Sequence, residues 1–294
     1  MRFLRFLLKE FVLHGIVFAV VGTLILSVLY LLSIGASPDM YLDTGRSFLL
    51  MLIGSDKFGI EHAGFTPGQI IASGAKITLP LALISLVILI VIAMITAAHA
   101  MTSRYLASHH DKNGPENFGK VINCLMSILA ATPLFCGFWA LMVAFGTEVP
   151  SLIIAFLTVI IGGLSWDAAN FLKADMLAQI ETTHAITFST LGHKLGRFFP
   201  LPGTYSGYIF ASSLPRFIPY IAGKVPAIIG SVTIAEIIFS FPGLGSTLLD
   251  AMGQGETSLL IMAVFILLCV NAVVSFLVKT ILFLIYPRCY EKSI

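Results

Sequence analysis

Charge is scarce in this chain of 294 residues. Only 11% are Asp, Glu, Lys or Arg, against roughly one quarter in soluble domains, while 57% are hydrophobic and the mean hydropathy is +0.97. This argues against an ordinary soluble globular domain. A net charge of +2 with no basic face gives no reason to expect a nucleic-acid partner. The polar–apolar alternation over about ten residues that barrel strands require is also missing. Cysteines are few, Cys124, Cys136, Cys269 and Cys289, with no C-x-x-C and no histidine at ligand spacing. They are expected to be free, buried thiols, with no metal site. There is no G-x-x-x-x-G-K-[ST] loop, so any ATP chemistry belongs to another polypeptide. GxSxG and HExxH are absent too, and no Ser-His or paired-Asp arrangement replaces them, so a hydrolase is not expected.

What is present is long apolar runs, enough for helices that each cross about 30 Å of hydrocarbon. Six spans are expected: Phe11–Ile34, Ile77–Ala100, Val121–Phe145, Leu152–Leu172, Phe217–Phe239 and Ser258–Tyr286. The first apolar run is too long for a signal-peptide core and no small-residue cleavage site follows, so it is expected to be a retained span. The chain then reads as one all-α, polytopic membrane domain over 1–294, with a core at about 71–286. Arg2, Arg5, Lys9, Arg104, Lys112, Lys120, Lys173, Lys194, Arg197, Lys279, Arg288 and Lys292 fall on one side, against Arg46, Lys57 and Lys76 on the other. The positive-inside rule therefore places both termini in the cytoplasm. The segment from about 174 to 216 would face the cytosol. Its apolar residues at helical spacing, Met176, Leu177, Ile180, Ile186, Leu191 and Leu195, read as short helices lying on the membrane surface or docking a partner.

The stretch EIIFSFPGLGSTLLDAM, Glu236–Met252, sets an acid before a rigid turn. Two roles stay open for Glu236: an interfacial acid bonded to the turn that follows, or a group lining or supporting a pathway or gate. Pro242 would stop the helix, Gly243 and Gly245 would permit positive φ, and Ser246 or Thr247 would cap a short following helix. Lys224, inside the fifth span, is expected to face a pore or a partner subunit. Arg216, at the span's inner end, is expected to snorkel. Pro215, Pro219 and Pro226 should make that span irregular. Asp167 and His99 look interfacial, and Asn271 and Ser275 are placed to hydrogen-bond across a helix interface.

Glu236-Ile-Ile-Phe239-Ser240-Phe241-Pro242-Gly243-Leu244-Gly245 resembles the Glu-Thr-Val-Phe-Ser-Trp-Pro-Gly-Leu-Gly element of the permeases of oligopeptide/dipeptide/nickel-type ABC importers. Gly54–Gly59 with Ile77-Thr78-Leu79, Pro133 in the third span, Lys173 with Met176-Leu177, and Tyr286-Pro287-Arg288 are collinear with other elements of that family. The resemblance implies a type I importer fold and a cell inner membrane location. Its partners would be a second homologous permease subunit, two ATPase subunits carrying ATP and Mg, an extracytoplasmic substrate-binding protein and the lipid bilayer. This chain would have no cofactor or catalytic residue of its own. Phe241, Pro242, Gly243, Leu244 and Gly245 would form an external docking element. ATPase coupling would fall to Thr187, Leu191, Gly192 and Leu195, although the family's Thr-Ala-Arg-Ala-Lys-Gly reads Thr187-Phe188-Ser189-Thr190-Leu191-Gly192 here. The alternative is a stand-alone secondary transporter coupling through Glu236 and Lys224, against which the halves show no inverted repeat.

Overall fold

A computed structural model describes residues 2–32, 67–109, 116–146, 149–191, 200–254 and 257–285. Among these lie ten helices: α1 (Arg2–Leu32), α2 (Pro67–His109), α3 (Glu116–Ala131), α4 (Leu134–Phe145), α5 (Ser151–Ile160), α6 (Leu164–Ile180), α7 (Thr183–Thr190), α8 (Tyr205–Ile238), α9 (Leu244–Gln254) and α10 (Thr257–Ile285). Four of them, α1, α2, α8 and α10, are long and apolar enough to cross a membrane; the number rises to six if each of two bent helix pairs is one span. Over its described residues the chain is all-helical, a polytopic membrane protein.

The expected spans change in detail. Four prove longer than expected at one end or both, because apolar periodicity runs past the residues that hydrocarbon thickness demands. The expected third span, Val121–Phe145, is two helices bent by 100°. Pro133 lacks a donor and sits in an extended conformation (ψ 132°), breaking the helix between Ala131 and Leu134. The fourth, Leu152–Leu172, is bent by 56° between α5 and α6. Gly162 and Gly163 there have φ of 78° and 79°. The two breaks touch, since Gly162 N–H donates to Leu129 O at 3.3 Å and a Cβ on Gly163 would come within 2.8 Å of Ala130 Cβ.

The core lies where α2, α5, α6 and α8 meet. Along α2, Ser85, Leu89, Ala93, Ala97 and Met101 are buried at every fourth residue, one face of a helix. Small Ala93 and Ala97 let neighbouring helices approach closely, and Ser85 adds hydrogen bonds to Thr158 Oγ1 (2.9 Å) and Ala155 O (3.1 Å) on α5. The proline-rich α8 is one helix of 34 residues, with Pro215, Pro219 and Pro226 inside it. Its start is capped by Thr204, whose Oγ1 accepts from Gly207 N–H at 3.1 Å. α1 packs on α10, where His14 Nε2 lies 3.1 Å from Ser275 Oγ and Lys279 Nζ donates to Glu10 Oε2 at 2.7 Å.

The segment at 174–216 is only partly what its pattern suggested. Its first residues continue α6 to Ile180 and its last belong to α8, leaving α7 as the one short helix described within it. Met176 and Ile180 extend the apolar face of α6 into the core instead of lying on a surface. The cysteines also differ from expectation: Cys124 and Cys136 are exposed and Cys269 is half-buried, all three free. In a bilayer an exposed thiol on a span meets lipid, an apolar surrounding that suits it as well as a protein core.

Candidate functional site

Glu236 lies near the end of α8 and is 1% exposed. Its carboxylate accepts from Thr78 Oγ1 on α2 at 2.7 Å and from Gly245 N–H at 2.9 Å. Thr78 in turn accepts from Leu244 N–H at 2.8 Å. Leu244 and Gly245 open α9, so two of the first N–H groups of that helix are satisfied by side chains from other helices. A carboxylate at a helix N-terminus also meets the favourable end of the helix dipole. The acid is thus a latch that seats α9 against α8 and α2.

The turn that makes this possible departs from the expected chemistry. The residue with positive φ is Ser240 (56°), with neither Gly243 nor Gly245 in that region. The glycines serve close approach instead. A Cβ on Gly243 would collide with the Glu236 carboxylate, and one on Gly245 with Thr233 O. On α2, Gly74 fits against the Gly243 backbone, where a Cβ would stand 3.1 Å from Gly243 C. Ser246 and Thr247 do not begin the helix; both hydroxyls donate back to Gly243 O at 2.9 Å. Leu244 and Gly245 are buried in this element, Phe241 is half-buried and Pro242 is exposed.

Lys224 stands elsewhere on the same helix and is not a partner of Glu236. Its Nζ donates to Asp167 Oδ2 on α6 at 3.2 Å and lies 5.3 Å from the Tyr220 ring centroid. Tyr220 stacks on Phe171 with centroids 4.0 Å apart. Arg216, expected to snorkel, donates to Asp175 Oδ1 at 2.9 Å. Asp167 and Asp175 became partners only in the fold. Asp175 had drawn no attention because it lay in the stretch read as surface helices.

The surroundings of these ions set them apart from the rest of the surface. On α6 the exposed residues are Asp167, Asn170, Ala174 and Ala178. On α8 they include Arg216, Pro219, Gly223, Pro226, Ala227 and Gly230. Both sets recur at three or four residues, so each is one helical face. No large hydrophobic side chain is exposed among the described residues between Phe156 and Ile186, or between Leu201 and Leu249. About 21 Å of helix rise separate Lys224 from Ile238, placing it within the depth of a hydrocarbon layer of about 30 Å.

Of the expected coupling residues, Gly192 and Leu195 lie outside the described residues, as do Lys194 and Arg197. Thr187 is exposed on α7, and Leu191 follows that helix with an exposed side chain, as does Ile186 within it. α7 is held to α8 by Phe188 stacked on Tyr208, centroids 4.2 Å apart, and by His184 edge-on to the same ring at 5.9 Å. Gly54–Gly59 and Tyr286-Pro287-Arg288 also lie outside the described residues. No group of three or more His, Cys, Asp or Glu side chains fit to hold a metal occurs among the described residues.

No family profile matches the chain. A stretch of 64 residues, 22% of this chain, is 30% identical to the oligopeptide transport system permease protein AmiC in each of two strains of Streptococcus pneumoniae. The chain spans 13% of the length of these curated relatives in that match.

Proposed function

We propose that this chain is a membrane-spanning permease subunit of an ATP-driven, binding-protein-dependent importer, forming half of a translocation pathway for peptides or related small solutes. The observation that carries the reading is the α6/α8 face, where the Asp167–Lys224 pair sits at hydrocarbon depth and the Asp175–Arg216 pair follows toward the span's inner end, among small residues with no large exposed apolar side chain beside them. Charge within a bilayer turns to protein or to a water-filled cavity because exposure to lipid is costly. The face is open on one side of the bundle, and a second, related chain opposite it would enclose the cavity that such charge calls for. The short similarity to an oligopeptide permease supports the same reading.

In this arrangement each bent pair is one span, giving six in a type I fold, and the basic residues place both termini in the cytoplasm of a bacterial cell. The Phe241–Gly245 turn and α9 then lie outside, held by the Glu236 latch where a substrate-binding protein would dock. α7 lies inside, and its exposed Ile186, Thr187 and Leu191 offer apolar and hydroxyl contacts to an ATPase subunit. ATP and Mg would be bound by two such subunits, with this chain non-catalytic.

Purification of the chain from its own membranes in mild detergent tests this. ATPase subunits and a second permease should accompany it, and ATP hydrolysis should rise when the binding protein and its solute are added. A lone chain that transports without ATP would instead be the secondary transporter, and the importer reading would fail.

A further inference from the structure

The two ion pairs form a ladder. α6 carries Asp167 and Asp175, α8 carries Arg216 and Lys224, and each helix spaces its charges by two turns, about 12 Å. Antiparallel packing matches Asp167 with Lys224 and Asp175 with Arg216. The members of each rung are unequally exposed, and in opposite senses. In one rung the acid is outermost, with Asp167 57% exposed and Lys224 24%. In the other the base is outermost, with Arg216 67% exposed and Asp175 9%. The open face therefore presents a carboxylate on α6 and a guanidinium on α8, offset by about two turns along the helix axes, with the half-buried Lys224 behind the first and the buried Asp175 behind the second. The ground between them is clear, because a Cβ added at Gly223 meets nothing within 4 Å.

We propose that Asp167 and Arg216 receive the free ammonium and free carboxylate of an extended peptide of three to four residues lying along α8. This rests on the reading of the α6/α8 face as a pathway wall. An extended chain covers about 3.3–3.6 Å per residue, so three to four residues match a separation of about 12 Å. The Arg216 fork suits a carboxylate bidentately, and an Asp167 oxygen beyond Lys224 can accept from an ammonium. Charge favours a zwitterion. The four protein ions sum to zero, and so does the peptide, whereas a solute of one sign would leave a net charge at membrane depth. Between the two charges the exposed residues of α8 are Pro219 and Gly223, which impose little selection among the side chains of the peptide.

The test uses the purified assembly with native cysteines removed and Gly223→Cys introduced. The rate of its modification by an anionic, water-soluble methanethiosulfonate is read with and without peptide. Tetra-alanine with free termini should slow modification about fivefold, a reasonable effect for charge contacts at an exposed site, and N-acetyl-tetra-alanine amide should not. Asp167→Asn and Arg216→Gln should each remove the protection. Pro219→Cys, exposed on α8 between the two charges, gives a second reporter if Gly223→Cys fails to assemble. If the thiol reacts but both peptides protect equally, or neither does, the end-group site is overturned while the pathway wall stands. If the thiol at either position does not react while one on α9 does, the face is not in water, and both the site and the permease reading fall.

Discussion

Two exposed faces of this bundle face their surroundings with opposite chemistry. On α2 and α5 the outward residues are Leu83, Ile84, Val87, Val91, Ile95, Leu152, Ile153 and Phe156, and a groove of about 480 Å³ between the two helices is lined entirely by Val, Ile, Leu and Phe. On α6 and α8 the outward residues are Asp167, Asn170, Arg216, glycines, alanines and prolines. A soluble protein would hide the first face and show the second. A bilayer reverses the rule, so the apolar face is the ordinary one and the polar face must find something other than lipid. The contrast teaches that in a membrane chain exposure alone says little; the residue types at a given depth say which medium is met.

The Glu236 latch sharpens this contrast, because it is a polar group turned to neither face. Glu236→Ala leaves the buried Gly245 N–H without its acceptor, at roughly 1–3 kcal/mol, and empties the side-chain volume between α8, α2 and α9, for a loss of about 4 kcal/mol in all, while the Thr78 hydroxyl keeps Gly74 O at 3.2 Å. We expect the largest fall in thermal midpoint in detergent for this variant, with early proteolysis at α9. Placing a charge on each face comes next. Val87→Lys puts an ammonium into lipid at about 2.5–3.5 kcal/mol and should lower the amount of inserted protein in membranes, whereas Ala227→Lys should change that amount little. Equal losses would erase the distinction between the faces. Thr78→Val, which removes one member of the latch relay, should cost about 1–3 kcal/mol by the same thermal measurement. Lys224→Ala should cost least, about 1 kcal/mol or less, because the acid it leaves behind, Asp167, is 57% exposed and screened. A loss as large as that of Glu236→Ala would mean that this ion pair is a structural brace.

The long apolar runs made much of the fold legible before any coordinates, since four of them match helices long enough to cross a membrane and the other two match bent helix pairs. The breaks were less so. Pro133 carries its own signal, but Gly162-Gly163 sits in a continuous apolar run and becomes a break only through positive φ and contact with Ala130. At the candidate site, Glu236 stood out because an acid ending an apolar run needs a reason. Its partner Thr78 lies 158 positions away, and no local spacing encodes that meeting. The glycines beside it were given a conformational role that belongs to Ser240, because sequence shows that a side chain is absent without showing what fills the space. The charge ladder was missed for a similar reason: Asp175 and Arg216 were sought at the membrane surface, and only antiparallel packing of α6 on α8 brings them together.

The most direct test of the account compares one position on each face. Nitroxides attached at Val87→Cys and Ala227→Cys, in the assembly in bilayers, would be measured for collision with dissolved oxygen, which favours lipid, and with a water-soluble paramagnetic chelate. The account predicts oxygen-dominated relaxation at position 87 and chelate-dominated relaxation at position 227. Oxygen-dominated relaxation at both would place the α6/α8 face in lipid and contradict the pathway it is held to line.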